Sequence, residues 1–142
     1  DDPPEGVPVV QLSLLSSLDA TQHYKVGRAL APLRDEGVLF VGSGAATHNM
    51  RAMGATSTPA WAKKFIAWLT DTLTNPEMTV EEREAAVAAL KEAPHFRDAH
   101  PREEHLLPAF MALGVAGGEP ARFLKGFEAY VGAFATASYR WD

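Results

Sequence analysis

The sequence predicts an α/β layered domain, with a mainly parallel or mixed central sheet flanked by helices. Three observations carry that expectation. Two short apolar runs, "VPVVQLSLL" at 7–15 and "VLFVG" at 38–42, have the length and composition of buried strands. A capped helical stretch lies between them, and strand, helix, strand at this spacing is a βαβ unit with a parallel pair. Beyond residue 42 the chain alternates alanine- and aromatic-rich helical patterns with glycine and proline turns.

The run from Val7 to Leu15 is β-branched, apolar and too short for a helix. "SSLDATQHYKVGRALAPLRDEG" then reads as a helix, with Asp19 or Ser17 as N-cap and Gly37 after its last turn. His23, Val26, Leu30 and Leu33 share one face, and Pro32 bends or shortens the end. "VLFVG" is apolar without alternation, as a strand covered on both faces would be. Ala60 to Leu73 carries Trp61, Phe65, Trp68 and Leu69 at helical spacing. Thr79 or Glu81 opens the next helix, "VEEREAAVAALKEA", where Thr79 followed by Glu82 matches a capping box and Pro94 marks the end. "PREEHLLPAFMALGVAGGEP" reads as a loop turning into a short helix closed by Gly117-Gly118, and "FEAYVGAFATASYRW" as a final strand or strand pair.

Composition narrows the function classes. With 142 residues and a 46% hydrophobic fraction, the chain is one domain with a real core, or part of a larger one. No apolar run approaches the roughly 18–20 residues that span a bilayer. A net charge of −5, from 13 basic and 18 acidic residues, argues against nucleic acid as partner. With no cysteine, any metal must be held by His, Asp or Glu. The opening "DDPPEG" is acidic and turn-forming, unlike a secretory signal, and a cytoplasmic location is the expectation. It has no Met and leads almost at once into a strand, the start expected of a chain trimmed or nicked in an exposed loop.

The stretch with most chemistry is "GVLFVGSGAATHNMRAM", where an apolar run enters a glycine turn and delivers His48 beside Asn49. Its G-x-G-x-x-T pattern lacks the third position of a dinucleotide fingerprint, the acidic residue about 20 positions on, and the Lys-Ser/Thr ending of a P-loop. A sharp turn alone would account for Gly42 and Gly44, but not for the His and Asn that follow. Loops beyond the carboxyl end of a strand are where α/β sheets bind ligands, which makes His48 a functional candidate.

His95, His100 and His105 form a second set. Five-residue spacing rotates about 140° along a helix, and Pro94 and Pro101 break any continuous one, so a three-histidine metal site from this segment is disfavoured. Glu104 and His105 sit at a loop-to-helix junction. His23 reads as a satisfied core histidine, Trp61, Phe65 and Trp68 as core, and the charges of "EEREAAVAALKE" as a solvated face. Ser43 lies between glycines without the spacing of a hydrolase elbow.

Together, "PVVQLSLLSSLDATQHYKVGRALAPLRDEGVLFVGSGAATHNMRAM" and "HPREEHLLPAFMALGVAGG" resemble the C-terminal half of class III extradiol ring-cleaving dioxygenases, closest to their DOPA dioxygenase branch. The resemblance runs from about residue 7 to the end and is weakest between 71 and 98. It implies an α/β fold of that family, with the chain a single domain forming half of a larger catalytic one. It implies that His48 is the acid/base outside the metal's ligand shell and that His105 is a metal ligand, with Glu104 in reserve because protocatechuate-type relatives use a glutamate here. The implied metal is Fe(II), with Zn(II) as alternative, and the implied substrates are a catechol such as DOPA and O₂, giving a ring-opened semialdehyde. The family's two other histidine ligands belong to an N-terminal half, and nothing in this chain matches their motifs.

Three readings follow. The chain is part of an extradiol dioxygenase completed by an N-terminal half or a partner chain. Alternatively it is a catalytically silent structural or binding fragment of the same ancestry, and a hydrolytic zinc enzyme is the weaker third. A parallel sheet lacking its other strands would leave apolar surface over Val7–Leu15 and Val38–Val41 for a partner to cover.

Overall fold

The computed structural model describes residues 6–52 and 54–142; the acidic opening at 1–5 lies outside the described residues. Helix α1 (Ala20–Leu30) begins at its cap, the Asp19 carboxylate accepting the Gln22 N–H at 2.7 Å. A single 3₁₀ turn, Ala31–Arg34, takes Pro32 into its first positions, and Gly37 turns the chain away at φ +86°. Helix α2 (Ala60–Thr74) buries Phe65, Ile66, Leu69 and Leu73. Helix α3 (Val80–Ala88) has the capping box the sequence indicates. The Thr79 hydroxyl accepts the Glu82 N–H at 3.1 Å, and the Glu82 carboxylate accepts the Thr79 N–H at 2.9 Å. It ends sooner than expected, the 3₁₀ turn Leu90–Glu92 leading to Pro94. A one-turn helix α4 (Phe96–Ala99) and helix α5 (Leu107–Val115) follow, and Gly117 and Gly118 close α5 in the left-handed region.

Helix α1 packs on α5 through an exchange of glycines. A Cβ on Gly27 would lie 2.8 Å from the Val115 nitrogen, and one on Gly114 would lie 3.0 Å from the Arg28 nitrogen. The buried face of α1 is therefore Ala20, His23, Tyr24 and Gly27, while Val26, Leu30 and Leu33 are only partly buried. His23 is the core histidine expected: Nδ1 donates to the Asp19 carbonyl at 2.6 Å and Nε2 accepts the Leu15 N–H at 3.1 Å. The core runs through Phe65, Leu69, Leu73, Phe96, Leu107, Phe110 and Leu113, with Trp61 and Trp68 against it. Within it the Arg83 guanidinium donates to the carbonyls of Thr72, Gly118 (2.9 Å), Asn75 (2.8 Å) and Met78 (3.2 Å), tying the end of α2 to the end of α5.

The expected central sheet is not formed among the described residues. Neither Val7–Leu15 nor Val38–Val41 enters a ladder, and there is no parallel pair. The strands are short antiparallel ribbons near the C-terminus: β1 (Arg122–Phe123) with β4 (Tyr139–Arg140), and β2 (Ala129–Val131) with β3 (Phe134–Thr136). The β2–β3 loop has Gly132 at φ +58° as its first residue, a position that primed hairpin turns favour for glycine. The cause of the difference is physical. Apolar character makes a segment compatible with a strand, but only a neighbouring edge makes it one. Val9, Val10, Leu39 and Val41 meet no such edge and are 76%, 88%, 86% and 80% exposed. No helix of the described residues is long and apolar enough to cross a membrane.

Candidate active site

The glycine turn leads into a segment that is clamped on several sides by main-chain bonds. Ala45 N–H donates to the His105 carbonyl at 2.9 Å, Thr47 N–H to Ala135 at 3.1 Å, and His48 N–H to Ala99 at 2.8 Å. The buried Thr47 hydroxyl donates to the Ala133 carbonyl at 2.7 Å, so residue 47 is joined to β3 by its backbone and to the turn before β3 by its side chain. Asn49 Nδ2 reaches the Asp98 carbonyl at 2.7 Å and its Oδ1 accepts the Arg51 N–H at 3.1 Å. The asparagine beside His48 is thus a fastener of the turn, holding it to α4.

Gly42 and Gly44 lie outside the left-handed region, so a sharp corner is not what requires them. They allow a close approach instead. A Cβ on Gly42 would lie 2.6 Å from the Pro108 carbonyl oxygen, and one on Gly44 would fall well inside 3.0 Å of the His105 oxygen. Those two absences of side chain let the turn lie directly on the N-terminal end of α5.

The consequence is that His48 and His105 meet. Their rings stack with centroids 3.7 Å apart and an interplanar angle of 25°, both half-buried, and Phe134 of β3 presents its edge to His48 at 5.7 Å. An open cleft of about 920 Å³ adjoins this pair on the His105 side, lined among others by Val38, Phe40, Gly44, Phe127 and Trp141. Glu104 is turned to Arg102, Oε2 lying 3.3 Å from Nε. A separate cleft of about 660 Å³, between Lys63, Asp71, Phe123 and Tyr130, holds no histidine.

The other histidines go elsewhere. His95 is exposed and pairs with Asp98 at 3.0 Å. His100 is fully buried, its Nε2 donating to the Ala46 carbonyl at 2.9 Å. Burial lowers its pKa to about 4; the bond to Ala46 opposes this and the neighbouring His48 and His105 reinforce it. Glu103 is held below the usual carboxylate range: burial works to raise it, but the Arg97 guanidinium at 2.6 Å outweighs burial. Thr47 and Phe134 are parts of the site that sequence reasoning passed over, and His100, weighed there only as one of three metal-site histidines, is a third. Thr47 and Phe134 carry no local signal, and His100 follows α4 with only a proline after it.

Among the described residues no group of three or more His, Asp or Glu side chains could hold a metal ion. His105 and Glu104 do not make a metal site by themselves, so an ion bound here needs donors from outside these residues.

Residues 4–139 match the family described as the catalytic LigB subunit of aromatic ring-opening dioxygenase, and the chain belongs to that family. It is similar to the 4,5-DOPA dioxygenase extradiol of Beta vulgaris, 44% identical over 81% of this chain and 42% of the relative. The protein of the same name from Portulaca grandiflora is 43% identical over 84% of this chain and 43% of its own length. The Escherichia coli K12 protein of that name is 33% identical over 82% of this chain and 43% of the relative. An uncharacterised Escherichia coli K12 protein of known crystal structure superimposes with a TM-score of 0.71 at 32% identity, covering 89% of this chain and 52% of that one. The chain spans about half the length of the relatives it matches.

Proposed function

We propose that this chain is the C-terminal half of the catalytic domain of an extradiol dioxygenase that opens a catechol-type ring, DOPA or a close relative, with O₂, giving a ring-opened semialdehyde. The observation that carries the reading is the stacked pair of His48 and His105, since these are the two positions that the family resemblance assigns to chemistry. His105 is the metal ligand this chain contributes, Fe(II) being the metal the family implies and Zn(II) the alternative; Glu104, turned to Arg102, is the reserve. The remaining donors come from an N-terminal half or partner chain, and the exposed Val9, Val10, Leu39 and Val41 support a partner surface at that point.

The part of the reaction that falls to this chain is positioning and proton transfer. His48 takes the proton of a catechol hydroxyl on a ring nitrogen and returns a proton as the ring opens, a task suited to imidazole because its proton exchange lies near neutral pH. The clamped backbone holds the His48 ring in place, with the edge of Phe134 against it at 5.7 Å.

The test is His48→Ala in the assembled enzyme, following the yellow semialdehyde. Turnover falls roughly 10²–10⁴-fold with metal content retained, whereas His105→Ala loses metal. Normal turnover by His48→Ala overturns the proposal. The absence of a three-donor group among the described residues favours a second reading, a structural or binding fragment without activity. Metal analysis and catechol turnover, with the chain alone and with the N-terminal half supplied, separate the two.

A further inference from the structure

The buried imidazole of His100 has no place in the proton transfer just described, yet it touches the same turn. Ala99 and His100 grip that turn on both sides of Thr47. The Ala99 carbonyl accepts the His48 N–H at 2.8 Å, and one peptide earlier the Ala46 carbonyl accepts from His100 Nε2 at 2.9 Å. Because a carbonyl can only accept, Nε2 carries the hydrogen, and Nδ1, buried without a partner among the described residues, is bare. The ring is fixed by Phe65, edge-on at 5.4 Å and 62°, and by Phe96 at 6.3 Å. Ala46 and Ala99 are themselves buried, so water has no access to replace the bond.

We propose that His100 is a positioning residue, a neutral Nε2–H imidazole that braces the Ala46 carbonyl and so sets the His48 ring in register with His105. The proposal rests on the assignment of His48 as the acid/base. A fully buried polar side chain with one nitrogen unpaired is unfavourable for stability alone; an apolar residue of similar volume would fill the space between Phe65 and Phe96 without an orphan. The geometry points to its one bond, which ends two residues before His48.

The experiment compares His100→Leu, which fills the volume without a donor, with His100→Gln, whose amide nitrogen can stand where Nε2 stands. Both are measured in the assembled enzyme beside His48→Ala. His100→Leu lowers kcat roughly 10- to 100-fold, as expected for displacement of a reacting group by about an ångström, with KM within about threefold. His100→Gln recovers kcat to within about threefold of the parent, and His48→Ala/His100→Leu is no slower than His48→Ala alone. Unchanged kcat in a folded His100→Leu, with His48→Ala impaired, overturns the brace and leaves the role of His48 standing; full activity of His48→Ala overturns both. Equal damage from Leu and Gln also overturns the brace. A reading that needs no variant is the nitrogen NMR spectrum of the histidine side chains in the assembled enzyme, where His100 shows the Nε2–H tautomer. An Nδ1–H tautomer there is incompatible with the bond to Ala46 and ends the proposal.

Discussion

Replacing Gly44 by alanine tests how closely the turn is seated on α5. The new methyl would meet the His105 carbonyl oxygen well inside the 3.0 Å that Cβ atoms keep, with main-chain atoms on both sides of the contact. The segments must part by roughly 1 Å, enough to break the 2.9 Å bond from Ala45 N–H to that same oxygen. The lost bond costs about 1 kcal/mol and the overpacking about 1–3 kcal/mol, while the lower entropy of an unfolded alanine returns about 0.4–1 kcal/mol. The net expectation is a loss of about 1–3.5 kcal/mol, read as a lower urea midpoint at unchanged slope. The same shift moves His105 away from His48, so turnover of the assembled enzyme falls roughly 100-fold. Gly54→Ala is the control, because a Cβ there meets nothing within 4 Å. If Gly44→Ala matches Gly54→Ala in both midpoint and turnover, the close approach is not what the glycine is for.

The low pKa of His100 makes stability depend on acid. Unfolded, this histidine binds a proton below its ordinary value of 6.5, whereas folded it refuses one until about 4. Stability is therefore intact above pH 6.5 and lost as pH falls from 6.5 to 4, by on the order of 3 kcal/mol. His100→Gln removes the titrating group, and urea midpoints across that window should then lose this dependence; an undiminished slope refutes the assignment. At the α1–α5 crossing, Gly114→Ala drives a methyl against the Tyr24 carbonyl. An unfolding midpoint lowered by about 2 kcal/mol or more is expected, and an unaltered one would show that the helices can separate freely.

Helix ends were the most legible part of the fold in the sequence, because their chemistry is local. Asp19 and the Thr79–Glu82 box satisfy N–H groups three residues away, and a neighbouring side chain is all they require. Of the strands, the tail pair was legible, β2 and β3 lying in the run read as a final strand or strand pair, but the two expected parallel strands were not, for the opposite reason. Val7–Leu15 and Val38–Val41 have strand composition, but pairing is a long-range property, and the ribbons that do form are two or three residues long. The buried face of α1 was misjudged because glycine carries no hydrophobic signal, although Gly27 lies so close to α5 that no side chain fits there. As to the site, spacing alone could mark His48 and favoured an inert His105; family resemblance assigned both roles, and the fold supplies what neither contained, that the two rings stack. His100 stayed hidden because its meaning depends on a carbonyl far away in the chain.

The fastening of the turn has a consequence for how such a protein can change. Its anchor points at Ala45, Ala46, Ala99, Ala133 and Ala135 contribute main-chain atoms only. The buried ones among them are as small as a residue with a side chain can be. Enlarging any of these pushes on a peptide group and, through it, on the histidine, so drift there is penalised whatever the new residue's chemistry. Freedom to vary lies at the rim, at Met50 and Arg51, where an exposed side chain can be exchanged without disturbing the scaffold that aims the imidazole.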